Sequence, residues 1–395
     1  MLVKKIVQLT PALFIWSVSS LSFAEENPVT SAETIPQNYV KLGGAIRLRF
    51  DYDHNQDIRK LGLDTVILNG EFKWNQFSGM YEHRILGGSY PYQYVNDVGD
   101  INFVKKAYIQ YDFNKNSNIQ VGVNQVPIGL QPYYTSSFIE SLGYVAGLED
   151  LYRTGFKYTY QHQKDQFLAG YYFANPWKGK GTGNGDYYSN LIVPADPSLE
   201  EGTDFKERNA VALQWNRNDT LKGFETNYGL SLYYSKLDSK QQKDADRYVI
   251  GPHIMLNKDL YNFKFQALYQ NIKTENDDRS ITVGAYDGTM NMAAKGVLYS
   301  LDLTRKVPML DIKGIEGSSI YLNYNLFDKD DRSFKDTQRI VLGHSFSFGK
   351  GFFMATEFLF GKNDPYVGDS FSQSFAGAGE NKWKNRLNIN LGYYF

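Results

Sequence analysis

From Lys41 onward, apolar and polar residues alternate. In KLGGAIRLRFDY (41–52), Leu42, Gly44, Ile46, Leu48, Phe50 and Tyr52 fall on one face, and Ala45, Arg47, Arg49 and Asp51 on the other. That is the period of a strand, not of a helix. The pattern recurs near 64–75, 78–86, 103–113, 118–125, 152–161, 166–174 and 205–216. It returns near 222–236, 246–257, 260–274, 294–306, 317–328, 335–348, 351–362 and 382–395. Sixteen such stretches predict an all-β fold, and the even number fits a transmembrane antiparallel up-and-down β-barrel.

The connections sort into two alternating classes. NKNS (114–117), HQKD (162–165), RNDTL (217–221), NKD (257–259) and GK (349–350) are short turns, with VPMLDIKGIE (307–316) a longer member of that class. Between them lie long polar segments such as 126–151, 175–204, 275–293 and 363–381. Short turns on one rim and long loops on the other describe an outer-membrane barrel with both termini on the periplasmic side. A soluble sandwich also alternates, but it favours Val, Ile and Leu on its buried face. Here the apolar face carries aromatics near strand ends, as in Tyr108, Tyr111 and Phe113 or Tyr228, Leu230, Leu232 and Tyr234. Aromatic girdles at the two membrane interfaces account for that placement.

The first 24 residues follow another rule: Lys4 and Lys5, an apolar stretch through Leu13, Phe14, Ile15, Trp16 and Val18, then Ser22-Phe23-Ala24. This predicts a cleaved secretory signal peptide over 1–24, too short in its apolar core to span a bilayer. Residues 25–40 read as a flexible periplasmic lead-in and 41–395 as the barrel. Composition agrees with strands and tight turns: 31 Tyr, 26 Phe and 35 Gly stand beside 12 Pro. With no cysteine, disulfides and thiolate metal sites are excluded. The formal net charge is −1, and no nucleic-acid partner is expected.

The stretch IQVGVNQVPIGLQPYYTSSFIESLGYVAGLEDLYRTGFKY is similar to the phosphate-selective porin O/P-like family of Gram-negative outer membranes. The matching elements are a strand ending VGVNQVPIG, an aromatic-rich loop, and GLEDLYRTGFKY returning into a strand. The resemblance implies a sixteen-stranded, trimeric channel that prefers anions.

On the face opposite the lipid-type residues lie Arg47, Arg49, Lys73, Arg84, Lys106, Arg153, Lys157, Lys206, Arg208, Arg339, Lys384 and Arg386. Acidic residues expected there are Asp51, Glu71, Glu82, Asp112, Asp302 and Glu357. Alternation points these groups into the lumen, where charge is tolerated. Either the basic excess favours small anions, phosphate or small carboxylates, or the charges pair across the wall of a general, weakly selective pore. Segment 126–151 is too long and too apolar for a plain hairpin loop. It is expected to fold inward and narrow the pore, with Tyr133 and Tyr134 lining it and Glu149 and Asp150 facing Arg47 and Arg49.

No cofactor, metal or catalytic constellation is expected. His54, His83, His162, His253 and His344 show no i, i+4 pair, and the neighbours His344 and Ser345 of GHSF should point to opposite faces. An outer-membrane lipid hydrolase or an adhesin is the alternative of another class. In the final stretch, WKNRLNINLGYYF, Trp383, Leu387, Ile389, Leu391, Tyr393 and Phe395 share the outer face. This predicts a closing strand paired with 41–52, leaving no open edge in the bilayer. The aromatic ending at Tyr393 and Phe395 resembles the signal read by the barrel assembly machinery. The expected environment is outer-membrane lipid and lipopolysaccharide, reached by export.

Overall fold

The computed structural model describes residues 38–87, 97–181, 184–308 and 314–395. The expected signal peptide over 1–24 and most of the expected lead-in lie outside them. Among the described residues there are nineteen strands. They are β1 (Asn38–Asp53), β2 (Ile58–Trp74), β3 (Phe77–Leu86), β4 (Asn102–Asn114), β5 (Ser117–Gln125) and β6 (Tyr152–His162). Next come β7 (Asp165–Ala174), β8 (Leu191–Ile192), β9 (Lys206–Leu221), β10 (Phe224–Asp238), β11 (Ala245–Lys258) and β12 (Tyr261–Lys273). The remainder are β13 (Ser280–Ala285), β14 (Gly288–Ala293), β15 (Lys295–Lys306), β16 (Ile315–Lys329), β17 (Thr337–Phe348), β18 (Phe352–Lys362) and β19 (Trp383–Tyr394).

Sixteen of these close into one antiparallel barrel, each paired with its neighbour in sequence order apart from β8, β13 and β14. The three short strands form a separate sheet within the loops at one rim. Each of the sixteen expected strands corresponds to a barrel strand. The seam is closed by β1 against β19, from Ala45 opposite Tyr394 to Tyr52 opposite Leu387. Gly44 and Phe395 finish it by exchanging backbone hydrogen bonds of 2.9 and 3.0 Å. A Cβ on Gly44 would come within 2.3 Å of the Ile67 carbonyl oxygen, so the close approach there needs glycine.

The wall alternates as a barrel in lipid must. On β1, Ile46 and Leu48 are exposed while Ala45 is buried, and on β19 Arg386, Asn388 and Asn390 are buried while Tyr393 is exposed. The connections at the rim holding the termini are short: 75–76, 115–116, 163–164, 222–223, 259–260 and 349–351, with 307–314 somewhat longer. The opposite rim carries 87–101, 126–151, 175–205, 274–294 and 363–382, but also three brief links, 54–57, 239–244 and 330–336. We call this second rim outward, by the rule that long loops face away from the periplasm.

Six register shifts interrupt the pairing of the barrel strands, and three of them set which residues reach the interior near the site. Arg47 pairs with Thr65 but Leu48 with Leu63, leaving Asp64 as an extra residue on β2. Glu82 pairs with Lys106 but His83 with Val104, leaving Lys105 extra on β4. Tyr234 pairs with Val211 but Lys236 with Arg208, so Asn209 and Ala210 together face Ser235, with Asn209 at φ 42°. Each such bulge reverses which face the following residues occupy.

Candidate functional site

Segment 126–151 leaves β5 and crosses the barrel interior. Near its start, the Gly129 N–H donates to Ser231 Oγ on β10 (2.9 Å) and the Leu130 N–H to Gln266 Oε1 on β12 (2.9 Å). Further along, the Ser136 N–H donates to Asp302 on β15 (2.9 Å) and the Phe138 N–H to Glu357 on β18 (2.7 Å). Arg339 on β17 then donates to the Glu140 carbonyl (3.3 Å). Asp302 and Glu357 therefore anchor the loop to the far wall and are not free lumenal charges. A single helical turn, Leu142–Val145, follows, capped by the Ser141 hydroxyl.

This path divides the interior into unequal halves. On the β7–β15 side, Leu130, Tyr134, Leu142, Val145 and Leu148 of the segment pack against Tyr172, Ala212, Tyr233, Val249, Leu268 and Leu298 of the wall. That half is a packed core. At its centre, Glu207 lies between Arg153 (3.1 Å) and Arg247 (3.5 Å), all three side chains wholly buried. Glu207 also accepts from the hydroxyls of Tyr233 (2.7 Å) and Ser235 (2.6 Å).

The other half, walled by β1–β6 and β17–β19, holds two cavities. The inward one, ≈ 250 Å³, is lined by Arg47, Arg84, Lys105, Lys106 and Lys157 with Glu82, Tyr108, Tyr133, Phe138 and Glu140. The outward one, ≈ 110 Å³, is lined by Arg47, Arg49, Arg84, Arg339 and Arg386 with Asp64, Phe138, Glu140 and Tyr188. Arg47, Arg84, Phe138 and Glu140 belong to both. They form an eyelet: two guanidinium groups from the wall face a ring and a carboxyl from the crossing loop. Across both cavities eight basic side chains meet three acidic ones. Asp51, Asp150 and Asp364 pair with that lining from behind, which still leaves a formal excess of two positive charges even with Glu140 counted as ionised. Low-dielectric walls make such an excess count for more than it would on a rim.

The eyelet's members are fixed by neighbours. Arg47 pairs with Asp64 at 2.7 Å and its guanidinium lies over the Phe138 ring at 5.2 Å. Arg84 pairs with Glu82 at 2.8 Å and lies over the Tyr188 ring at 5.0 Å. Glu140, held at φ 66°, accepts from the Tyr188 hydroxyl (3.2 Å) through one oxygen, while the other has no partner. Burial, then the nearby Asp150 and Glu149 carboxylates, push the Glu140 carboxyl well above the usual carboxylate range, against the pull of Lys105 and Arg84.

A search against protein-family models found no match, and no curated protein matches in sequence. Solved structures do match. An anion-selective porin from Comamonas acidovorans aligns over 91% of this chain and 100% of its own, at 12% identity and a TM-score of 0.55. The outer-membrane channel DcaP of Acinetobacter baumannii aligns over 91% and 97%, at 12% identity and 0.57. OmpT of Vibrio cholerae, an outer-membrane protein in its trimer form, aligns over 91% and 99%, at 12% identity and 0.55. The fold is that of an outer-membrane porin.

Within this porin barrel, Arg47, Arg49, Arg84, Lys106, Lys157, Arg339 and Arg386 line the two cavities. Lys73 lies nearer the inward rim, paired with Asp112 at 2.6 Å. Arg153, expected to line the pore, is instead sealed in the packed half against Glu207. Arg208, also expected inside, is on the outer face with Asp238 at 2.7 Å, because the bulge at Asn209 turns Glu207 inward in its place. Tyr133 lines the inward cavity, whereas Tyr134 is buried within the loop, donating to the Leu148 carbonyl at 2.8 Å. Glu149 and Asp150 do not face Arg47 and Arg49. Glu149 accepts from the Tyr134 and Ser141 backbones at 2.7 and 2.8 Å, and Asp150 accepts from Lys105 at 2.5 Å. A carboxylate that folds its own loop is already satisfied. Tyr108, read as lipid-facing, lines the inward cavity beside Lys106, because it stands two residues from Lys106 and three from Tyr111, and so shares the face of the former. Tyr393 and Phe395 stack at 6.0 Å on the outer face beside the seam.

Alternation overlooked Lys105, Asp64, Glu207 and Arg247. The first two are the extra residues of bulges, and the third stands just before one; the KK pair at 105–106 was the available signal, since a strand normally shows only one of two neighbours to the lumen. His344 does meet a serine, Ser318 Oγ at 2.8 Å across β16 and β17, but among the described residues no carboxylate orients that imidazole. No group of three possible metal ligands occurs among the described residues.

Proposed function

We propose that this protein is an outer-membrane channel, not an enzyme, through which small hydrophilic solutes diffuse passively with a preference for anions such as phosphate or small carboxylates. The observation that carries this is the positive excess along the open half, concentrated where Arg47 and Arg84 face the crossing loop. Segment 126–151 acts as the constriction, because its Phe138 and Glu140 close the eyelet from the lumenal side. The likeness to a porin whose own description is anion-selective supports the sign of the preference. The trimer form of a matched barrel supports a homotrimer. Export by the 1–24 segment, assembly through the aromatic terminus, and residence among outer-membrane lipid and lipopolysaccharide complete the proposal.

A weakly selective general pore has an observation of its own: Arg47, Arg84 and Arg386 each pair with a carboxylate within 3 Å. Planar-bilayer recording across a potassium chloride gradient separates the two. An anion-selective reversal potential is expected; a potential near zero selects the general pore, and a cation-selective one refutes the proposal.

A further inference from the structure

The inward cavity has more in it than charge. Its cations are incompletely neutralised: Glu82 is shared between Arg84 (2.8 Å) and Lys106 (3.2 Å). Lys157 donates to the Gln125 carbonyl at 3.0 Å and has no carboxylate partner among the described residues. Facing these cations are Tyr108, Tyr133 and Met80, apolar surfaces that an inorganic anion cannot use. Thr135 lines the same cavity, 2% exposed, with its hydroxyl unpaired. A buried hydroxyl without a partner is costly, and a ligand oxygen would satisfy it.

Volume points the same way. A cavity of ≈ 250 Å³, filled at the ~0.74 density of protein interiors, takes about 185 Å³ of molecule, on the order of ten heavy atoms. A phosphate ion would leave over half of it to water. Small-molecule sites commonly combine an apolar lining with a few polar groups that fix orientation.

We propose that the inward cavity is a binding site for a small organic carboxylate with a flat apolar body, its charge on Lys106 and Lys157 and its ring against Tyr108 and Tyr133. This rests on the anion-channel proposal above and narrows it to a solute class. The site would hold each ion briefly on the inward side of the eyelet and slow the solutes it fits best.

The test is blockade of single-channel chloride current by benzoate, acetate and inorganic phosphate at equal ionic strength. Benzoate should half-block at a concentration about fivefold below acetate and below phosphate, the scale of one aromatic contact. Tyr133→Leu should bring benzoate back to the acetate value, and Lys157→Gln should weaken block by both carboxylates. If the Tyr133 variant does not assemble, Tyr108→Leu makes the same comparison. Equal block by acetate and benzoate, stronger block by phosphate, or a benzoate advantage that persists in both tyrosine variants would overturn the site. An anion-selective reversal potential with no such preference removes only this inference, whereas a cation-selective one removes the channel proposal beneath it.

Discussion

On β9 to β15 the inward positions carry Ala210, Ala212, Tyr233, Val249, Leu268 and Leu298, and the crossing loop fills the space before them. On β1 to β6 the corresponding positions carry Arg47, Asn69, Arg84, Lys106, Gln120 and Lys157, and the space stays open. Both walls obey the same period of two, and both turn apolar side chains outward. The difference lies in what the lumenal face is asked to do. One half stabilises by excluding water; the other keeps water and charge. The loop separates them by spending its apolar residues on the first half and its hydrogen-bonding backbone on Asp302 and Glu357.

The largest effect should come from breaking the packed half at its ion centre. Glu207→Ala leaves Arg153 and Arg247 buried and unpaired, which typically costs ~3–5 kcal/mol. Denaturant unfolding of the barrel in detergent should show that loss. Lys157→Gln in the open half should cost about 0.5 kcal/mol or less by the same measurement. Equal costs would erase the distinction between the halves.

Releasing the partition comes next. Asp302→Ala with Glu357→Ala removes the acceptors for the Ser136 and Phe138 amides and the Ser136 hydroxyl (2.9 Å). The loop should swing from the far wall, and single-channel conductance should rise about twofold, as when a constriction's cross-section doubles. Unchanged conductance would mean that the packed half alone holds the loop.

A smaller, more specific change comes from charge in the open half. Lys106→Gln with Lys157→Gln removes as much positive charge as the lining has in excess, and the reversal potential in a salt gradient should move close to zero. Retained selectivity would place its source at Arg47 and Arg84 alone.

Strand positions were legible because lipid demands an uninterrupted apolar face, which forces alternation on every strand. The seam was legible for the same reason: no edge can be left in the bilayer, so the last strand had to meet the first. Arg47, Arg84 and Lys106 could be placed in the lumen from parity alone. Parity failed where one residue was added, at Asp64, Lys105 and Asn209, because an insertion in one strand shows only against its partner. The division into halves was also hidden. Arg153 and Arg84 are alike in local pattern, and only the course of the loop decides that one is sealed and the other lines a cavity. Glu149 and Asp150 were misassigned for separate reasons: hydrogen bonds from Tyr134 and Ser141 turn Glu149 back into its own loop, whereas Asp150 does meet the wall, but at Lys105, the bulge residue that parity overlooked.

The subtlest contrast between the halves concerns pH, and it sits on Glu140. Its carboxyl borders both cavities and has one oxygen without a partner. Burial is the leading reason its pKa is raised, with Asp150 and Glu149 adding repulsion while Lys105 and Arg84 oppose it. A carboxyl raised in the folded state favours folding in its protonated form. Its contribution is therefore fully present below the unfolded value and is lost as pH climbs through the folded one. Over that same window the eyelet gains a negative charge, so anion preference should decline as pH rises. Glu140→Gln should hold the preference at its low-pH level and flatten the matching loss of stability. Reversal potentials recorded from acidic to alkaline pH on both proteins check this. A wild-type profile that is flat, or that the glutamine variant reproduces, would show that the eyelet's charge is set by the paired groups of the wall and not by the loop.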